Sequence, residues 1–263
     1  VEDWLKKTRA EREAVLAQAY GPSRFPGLDR GTRVPFPAEL QKGLGIPEGV
    51  ALAFAPSAAA RRPHWTYATL GLSQPLKPED LDPKAQDPEQ PGPSRFGFEV
   101  AIQTKEPADW APAALFALAW YLVKQPVRPG TRAHFSFARS SKPDAMGRDA
   151  LQPVAGALGP NQEKTGEISS AVLWPPLDRE APFVTSTGRF DLLVATGITA
   201  DELGLATETS SAHLLRLLVI AGVSQLMKPF RKSVLEDPKM REQWEGLKAL
   251  TREQALDALY GPA

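Results

Sequence analysis

Four apolar residues at alternate positions, Phe96, Phe98, Val100 and Ile102, are interleaved with Gly97, Glu99, Ala101 and Gln103. Side chains of an extended chain point to opposite faces with a period of two, so this stretch reads as a β-strand with one buried and one more polar face. Such a strand needs a layer for its aromatic side to lie against. Residues 64–70, rich in aromatic and β-branched side chains and stopped by Gly71, read as a second strand. Between the two, residues 74–95 carry prolines at 75, 78, 83, 88, 91 and 93 and acids at 79, 80, 82, 87 and 89. Proline removes the ladder donor, so this segment is excluded from a sheet interior and is expected to form a long surface loop. Loops of that length within a compact domain are usually functional or disordered.

Residues 110–124 supply the covering layer: the segment is apolar nearly all round, as a helix buried on a sheet must be. Asp109 is its expected N-cap, Pro112 fits its first turn, and Pro126 stops it. Further strands are expected at Val50–Phe54, 131–137, 168–174 and 190–196, and a short helix at Ala38–Leu44. Thr199 caps a helix over 200–205. Ser210 or Ser211 opens another, with Leu214, Leu215, Leu217, Leu218 and Ile220 on its apolar face. Residues 140–165, rich in Pro, Gly and polar side chains, read as loop. At the ends lie an exposed amphipathic helix over 1–20, striped by Trp4, Leu5, Val15 and Leu16, and charged helices over 239–250 and 252–260. The expectation is an α+β fold, a mixed β-sheet covered by helices, with N- and C-terminal helical extensions. One domain spans 1–230, and 231–263 is a helical appendage packed on it or extending from it.

Lys plus Arg and Asp plus Glu number 31 each. That balance argues against a dedicated nucleic-acid binder, whose affinity for phosphate comes from clustered cations. There is no cysteine, which removes disulfides, thiolate catalysis and Cys-based zinc sites. The longest apolar run, 111–123, contains Pro112 and falls short of the ~20 residues that span a bilayer. The first dozen residues are charged, without the apolar core of a secretory signal. A soluble cytoplasmic protein with no membrane partner is expected.

Catalytic patterns are missing. There is no Gly-x-Ser-x-Gly elbow and no Ser-x-x-Lys pair, which leaves Lys164-Thr165-Gly166 as loop. The glycines at 43, 45 and 49 miss dinucleotide spacing, and Pro47 interrupts any following helix. His64, His134 and His213 are scattered and show no metal-ligand spacing, so no metal or cofactor is expected. Glu99 and Asp191, each on the polar face of a strand, are the remaining route to chemistry as a carboxylate pair of a hydrolase. The plainer reading has each of them paired to Arg or facing solvent, and it is preferred. Arg61-Arg62 and the group Lys228, Arg231 and Lys232 read as solvated charge near element ends.

Four segments in order resemble the Suppressor of fused (SUFU) family. They are Pro63-His64-Trp65-Thr66-Tyr67-Ala68-Thr69-Leu70-Gly71-Leu72-Ser73, Gly92-Pro93-Ser94-Arg95-Phe96-Gly97-Phe98-Glu99, the helix over 110–125 with Trp110 and Tyr121, and residues 190–205 with Glu202-Leu203. Thr66 and Arg95 depart from the animal pattern of a second His and a Gly, and a single-domain protein without the large second domain of the animal members is expected. The resemblance implies a bacterial single-domain member that binds protein and has no catalytic activity, with Trp65 and Tyr67 packed under the apolar helix. It further implies an immunity protein that neutralises a toxin by direct binding. The alternative is a regulatory or scaffolding adaptor that sequesters a peptide or transcription factor. The partner is another protein, and the expected contact residues are His64, Glu79, Asp80, Asp82, Asp87, Glu89 and Glu99.

Overall fold

The computed structural model describes residues 2–26, 33–46, 48–57, 62–77, 93–134, 168–178 and 182–260. In chain order the elements are α1 (Glu2–Tyr20), β1 (Arg33–Pro35), α2 (Ala38–Leu44), β2 (Val50–Phe54), β3 (Trp65–Leu70), β4 (Pro93–Thr104), α3 (Ala111–Leu122), β5 (Arg132–His134), β6 (Ile168–Trp174), β7 (Phe183–Thr185), β8 (Gly188–Thr199), α4 (Ala200–Glu208), α5 (Ser211–Ile220), a 3-10 turn (Val234–Glu236), α6 (Pro238–Leu247) and α7 (Arg252–Tyr260). They form an α+β fold with a central sheet flanked by helices. The chain divides into two compact units, residues 1–126 with 180–193 and residues 127–179 with 194–263, and β8 runs from the first into the second.

In the first unit β1, β2, β3 and β4 pair in sequence order, each antiparallel to the next, with Val34 opposite Ala51, Leu52 opposite Ala68 and Tyr67 opposite Ile102. The alternation at 96–102 thus lies within a strand, and Val100 and Ile102 are fully buried. Helix α3 covers β3 and β4. The Tyr67 hydroxyl, under the start of that helix, accepts the Ala108 N–H at 2.8 Å, and Trp65 stacks on Tyr67. The N-cap position of α3 is Trp110 rather than Asp109, and no side chain caps it. Pro112 in the first turn has no N–H to satisfy, which reduces the need for a cap.

The N-terminal helix is not an exposed extension. It packs on β3 and β7, and its buried stripe is Thr8, Arg12, Leu16 and Tyr20, one residue per turn. Trp4, Leu5 and Val15 remain half-buried. Tyr20 meets Phe183 of the β7–β8 hairpin, where Phe183 stacks on Phe190 at 5.2 Å. Gly43 of α2 lets α2 approach α3 closely, because a Cβ there would overlap the Trp120 ring.

In the second unit β5 pairs β6 and β6 pairs the later half of β8, again antiparallel, with Ala133 opposite Ala171 and Val172 opposite Thr196. Of the strand expected over 131–137, residues 132–134 are strand and 135–137 lie outside the described residues. The expected caps are present: Thr199 N–H donates to Glu202 Oε2 at 3.0 Å, and Ser210 Oγ accepts the His213 N–H. The two C-terminal helices pack on this unit, the first of the two arrangements expected for residues 231–263. Trp244, Leu247, Ala255 and Leu259 join Val172, Trp174, Ile198, Leu214 and Leu218 in one buried cluster. Trp174 Nε1 donates to the Tyr260 hydroxyl at 2.7 Å, and His213 Nε2 meets the Leu250 carbonyl at 3.1 Å.

Trp244, only 3% exposed, should behave as a core residue. Trp244→Ala is expected to cost about 3–5 kcal/mol in equilibrium denaturant unfolding, as large-to-small core substitutions do. A loss within ~0.5 kcal/mol, the scale of a surface change, would mark the tail as peripheral.

Candidate functional site

Glu99 has no exposed surface, although it was expected on a polar face. Its Oε1 accepts from Gly71 N–H (3.0 Å), Ser73 N–H (2.9 Å) and Ser73 Oγ (2.7 Å), and its Oε2 accepts from Thr69 Oγ1 (2.7 Å) and Leu72 N–H (3.3 Å). Three consecutive backbone donors of the turn after β3 therefore close on one carboxylate. Gly71, at φ +139°, packs against Gly49, and a Cβ there would lie 3.1 Å from the Gly49 Cα. Five accepted hydrogen bonds occupy the lone pairs, so Glu99 is available neither as a general base nor as a surface contact.

Arg12 enters the same network from α1 and is also 0% exposed. Its Nε donates to Ser73 Oγ (3.2 Å), Nη2 to the Ser73 carbonyl (3.1 Å) and Ser94 Oγ (2.6 Å), and Nη1 to the Thr8 carbonyl (3.1 Å). Ser94 Oγ in turn donates to the Ser73 carbonyl at 2.7 Å. Burial pushes the Arg12 guanidinium down to about 10, against the pull of Glu99 and Glu11, so it stays charged at neutral pH.

Ser73 and Ser94 stand at the two ends of the proline-rich acidic segment, and Arg12 joins them. Arg95 strengthens the junction, donating to the Leu44 and Gly45 carbonyls at 3.1 Å each and to the Gln74 carbonyl at 3.4 Å. Arg95 and Gly97 both adopt positive φ, +50° and +75°. Gly97 thus serves a left-handed backbone step, which glycine adopts without steric cost. Glu79, Asp80, Asp82, Asp87 and Glu89 lie outside the described residues, in 78–92. His64 is half-buried just before β3, at the opposite end of that strand from Gly71. At ~3.3 Å of rise per residue that is roughly 20 Å away, so the structure does not bring His64 to the root of the acidic segment.

Two other charged groups differ from their expected solvated state. Arg62 is buried, donates to the Tyr20 and Ala55 carbonyls and lies over the Tyr20 ring. Arg231, 8% exposed, forks onto fully buried Glu202, Nη1 to Oε1 at 2.6 Å and Nη2 to Oε2 at 2.5 Å, while Val234 N–H donates to the same carboxylate at 2.9 Å. Neither Arg12 nor this pair was read from the sequence. The available signals were the polar residue at one-per-turn spacing with Leu16 and Tyr20, and Glu202 at the third helical position after Thr199. Asp191 is half-buried on β8, and burial raises its pKa, with Arg189 opposing. No group of three or more His, Asp or Glu residues fit to hold a metal ion occurs among the described residues. Among them, no helix is long and apolar enough to cross a membrane.

A helix-flanked sheet whose buried charges fasten turns defines an α+β protein. The family profile of Suppressor of fused protein (SUFU) matches residues 48–232, and the chain belongs to that family. Its fold is similar to a chain of the Sufu–Fu complex crystal structure (TM-score 0.61, 15% identity, 89% of this chain and 95% of that one). It is also similar to Drosophila Suppressor of Fused (TM-score 0.60, 15% identity, 91% of this chain), of which it spans 54%. A SUFU homologue from Neisseria gonorrhoeae FA 1090 gives TM-score 0.52 at 13% identity, covering 87% of this chain and 97% of that one. None of the curated protein sequences matches.

Glu99→Gln would turn an amide NH2 toward either the Leu72 N–H or the Gly71 and Ser73 donors that now point at the carboxylate. A loss of about 3 kcal/mol in denaturant unfolding is expected, and a neutral result would show that the turn does not depend on the carboxylate. Asp191 gives a pH signature. Its folded pKa is raised, so the folded state holds the proton more tightly and stability falls as pH rises through that pKa. Asp191→Asn should therefore raise the melting temperature at pH 7, with the gain fading below the ordinary Asp value of about 3.9.

Proposed function

We propose that this chain is a non-catalytic protein-binding domain, working in the cytoplasm without a cofactor, that holds a segment of another protein as an adaptor or scaffold. The observation carrying the reading is the fastening of the chain on either side of the acidic segment: Arg12, Ser73, Ser94 and Glu99 commit two buried charges to joining residues 73 and 94. Ordering both ends of a long segment lowers the entropy lost when a partner binds it. Membership in a family that includes a protein crystallised as the Sufu–Fu complex supports the same reading. Neutralisation of a toxin is the second reading, favoured by the five acids of 78–92, which would complement a basic surface.

The test is affinity capture from cells of the source organism with the intact chain. A variant neutralised at Glu79, Asp80, Asp82, Asp87 and Glu89 to Gln or Asn serves as the comparison. A stoichiometric partner held by the first and released by the second, at equal melting temperature, is the expected result. Equal capture by both would remove the acidic segment from the interface. Rescue of cells poisoned by the captured protein would favour neutralisation over scaffolding. Turnover of a substrate by the pure chain would overturn the non-catalytic reading.

A further inference from the structure

The second unit carries a groove of about 470 Å³ lined by the end of α5, the segment after it, the 3-10 turn and the start of α6. Its lining is apolar at Ile220, Val223, Val234 and Met240. One large apolar side chain of this lining, Ile220, remains open to solvent at 38%. Both acids of the lining already have partners. Glu236 takes Lys232 at 3.1 Å, and Asp237 Oδ1 accepts the Lys239 N–H at 2.9 Å as the cap of α6.

The cations of the lining are less well matched. Arg231 sends Nη1 and Nη2 to Glu202 and to the carbonyls of Lys232 (3.0 Å) and Gly197 (2.8 Å), yet its buried Nε–H finds no acceptor among the described residues. That atom is sealed from solvent, so it is no contact for a ligand in the groove. Lys228, half-buried in the same lining, forms no ion pair among the described residues. An unmatched ammonium beside aliphatic surface calls for a ligand that is anionic at one point and apolar next to it.

We propose that this groove receives a segment of a partner protein carrying an aliphatic side chain beside a carboxylate. The aliphatic group packs on Ile220, Val223 and Met240, and the carboxylate meets Lys228. The inference rests on the protein-binding reading and adds a second contact surface with a stated chemistry. Nucleic acid fits less well, since Glu236 and Asp237 on the lining repel phosphate and the apolar residues offer it nothing.

The probe is an acetylated, amidated peptide Asp-Leu-Glu-Leu-Asp, with Lys-Leu-Lys-Leu-Lys as the reversed-charge control, titrated into the intact chain and followed by NMR. Saturable shifts of the Met240 methyl signal are expected with the acidic peptide and not with the basic one. Lys228→Glu should weaken binding at least tenfold and Ile220→Asp should abolish it, both at unchanged melting temperature. No saturable shift at millimolar peptide, equal response to both peptides, or undiminished affinity of Lys228→Glu would overturn the groove. The wider reading fails separately. A cellular partner still captured by both groove variants leaves protein binding standing without this groove, whereas peptide binding with no cellular partner leaves the groove standing alone.

Discussion

Glu99 is where α1, β3 and β4 become one structure. An ionised carboxylate taken out of water loses a large hydration energy, and only a full set of donors offsets that loss. Here the donors are three backbone N–H groups and two hydroxyls from a single stretch, 69–73, whose own backbone would otherwise be buried unsatisfied. The dependence is mutual: the turn exists because the carboxylate is there, and the carboxylate is tolerated because the turn is there. Arg12 supplies the compensating charge at one remove, through Ser73 Oγ, which accepts from Arg12 and donates to Glu99. Removing any one member strands the others, the behaviour of a cooperative network rather than of independent contacts.

The second unit solves a related problem with direct contact. Glu202 at the start of α4 accepts the Thr199 N–H, the Val234 N–H and the two-pronged Arg231 fork. One carboxylate thereby caps a helix and fixes the 3-10 turn from which α6 departs. The groove beside that turn inherits its stiffness from this pair, because Arg231 is held by Glu202 and by two carbonyls at once.

The sequence revealed elements better than destinations. β4 was legible because Phe96, Phe98, Val100 and Ile102 alternate cleanly, and α4 and α5 because Thr199 and Ser210 stand at their starts. Glu99 followed the same alternation to the wrong conclusion. Period two places it opposite the aromatic face, but nothing in the period says that this second face is covered as well. Arg12 was hidden for a similar reason: an apolar-stripe reading assigns arginine to the solvent side. Its burial depends on acceptors 61 and 82 residues away in the chain. The C-terminal helices show the same gap, since Trp244 and Leu247 form an apolar edge at helical spacing whose target, the cluster around Leu214 and Trp174, is set by tertiary packing alone.

These placements bear on how recognition is divided over the molecule. With Arg12, Glu99, Glu202 and Arg231 all committed to internal pairing, the charge left to select a partner sits at the surface, and overall it sums to zero. Long-range steering by net charge is therefore weak, and discrimination has to come from local fields of a few residues. The sequence concentrates one such field: residues 78–92 hold five acids against the single Lys84. The opposite sign is carried by Lys228, half-buried beside exposed Ile220.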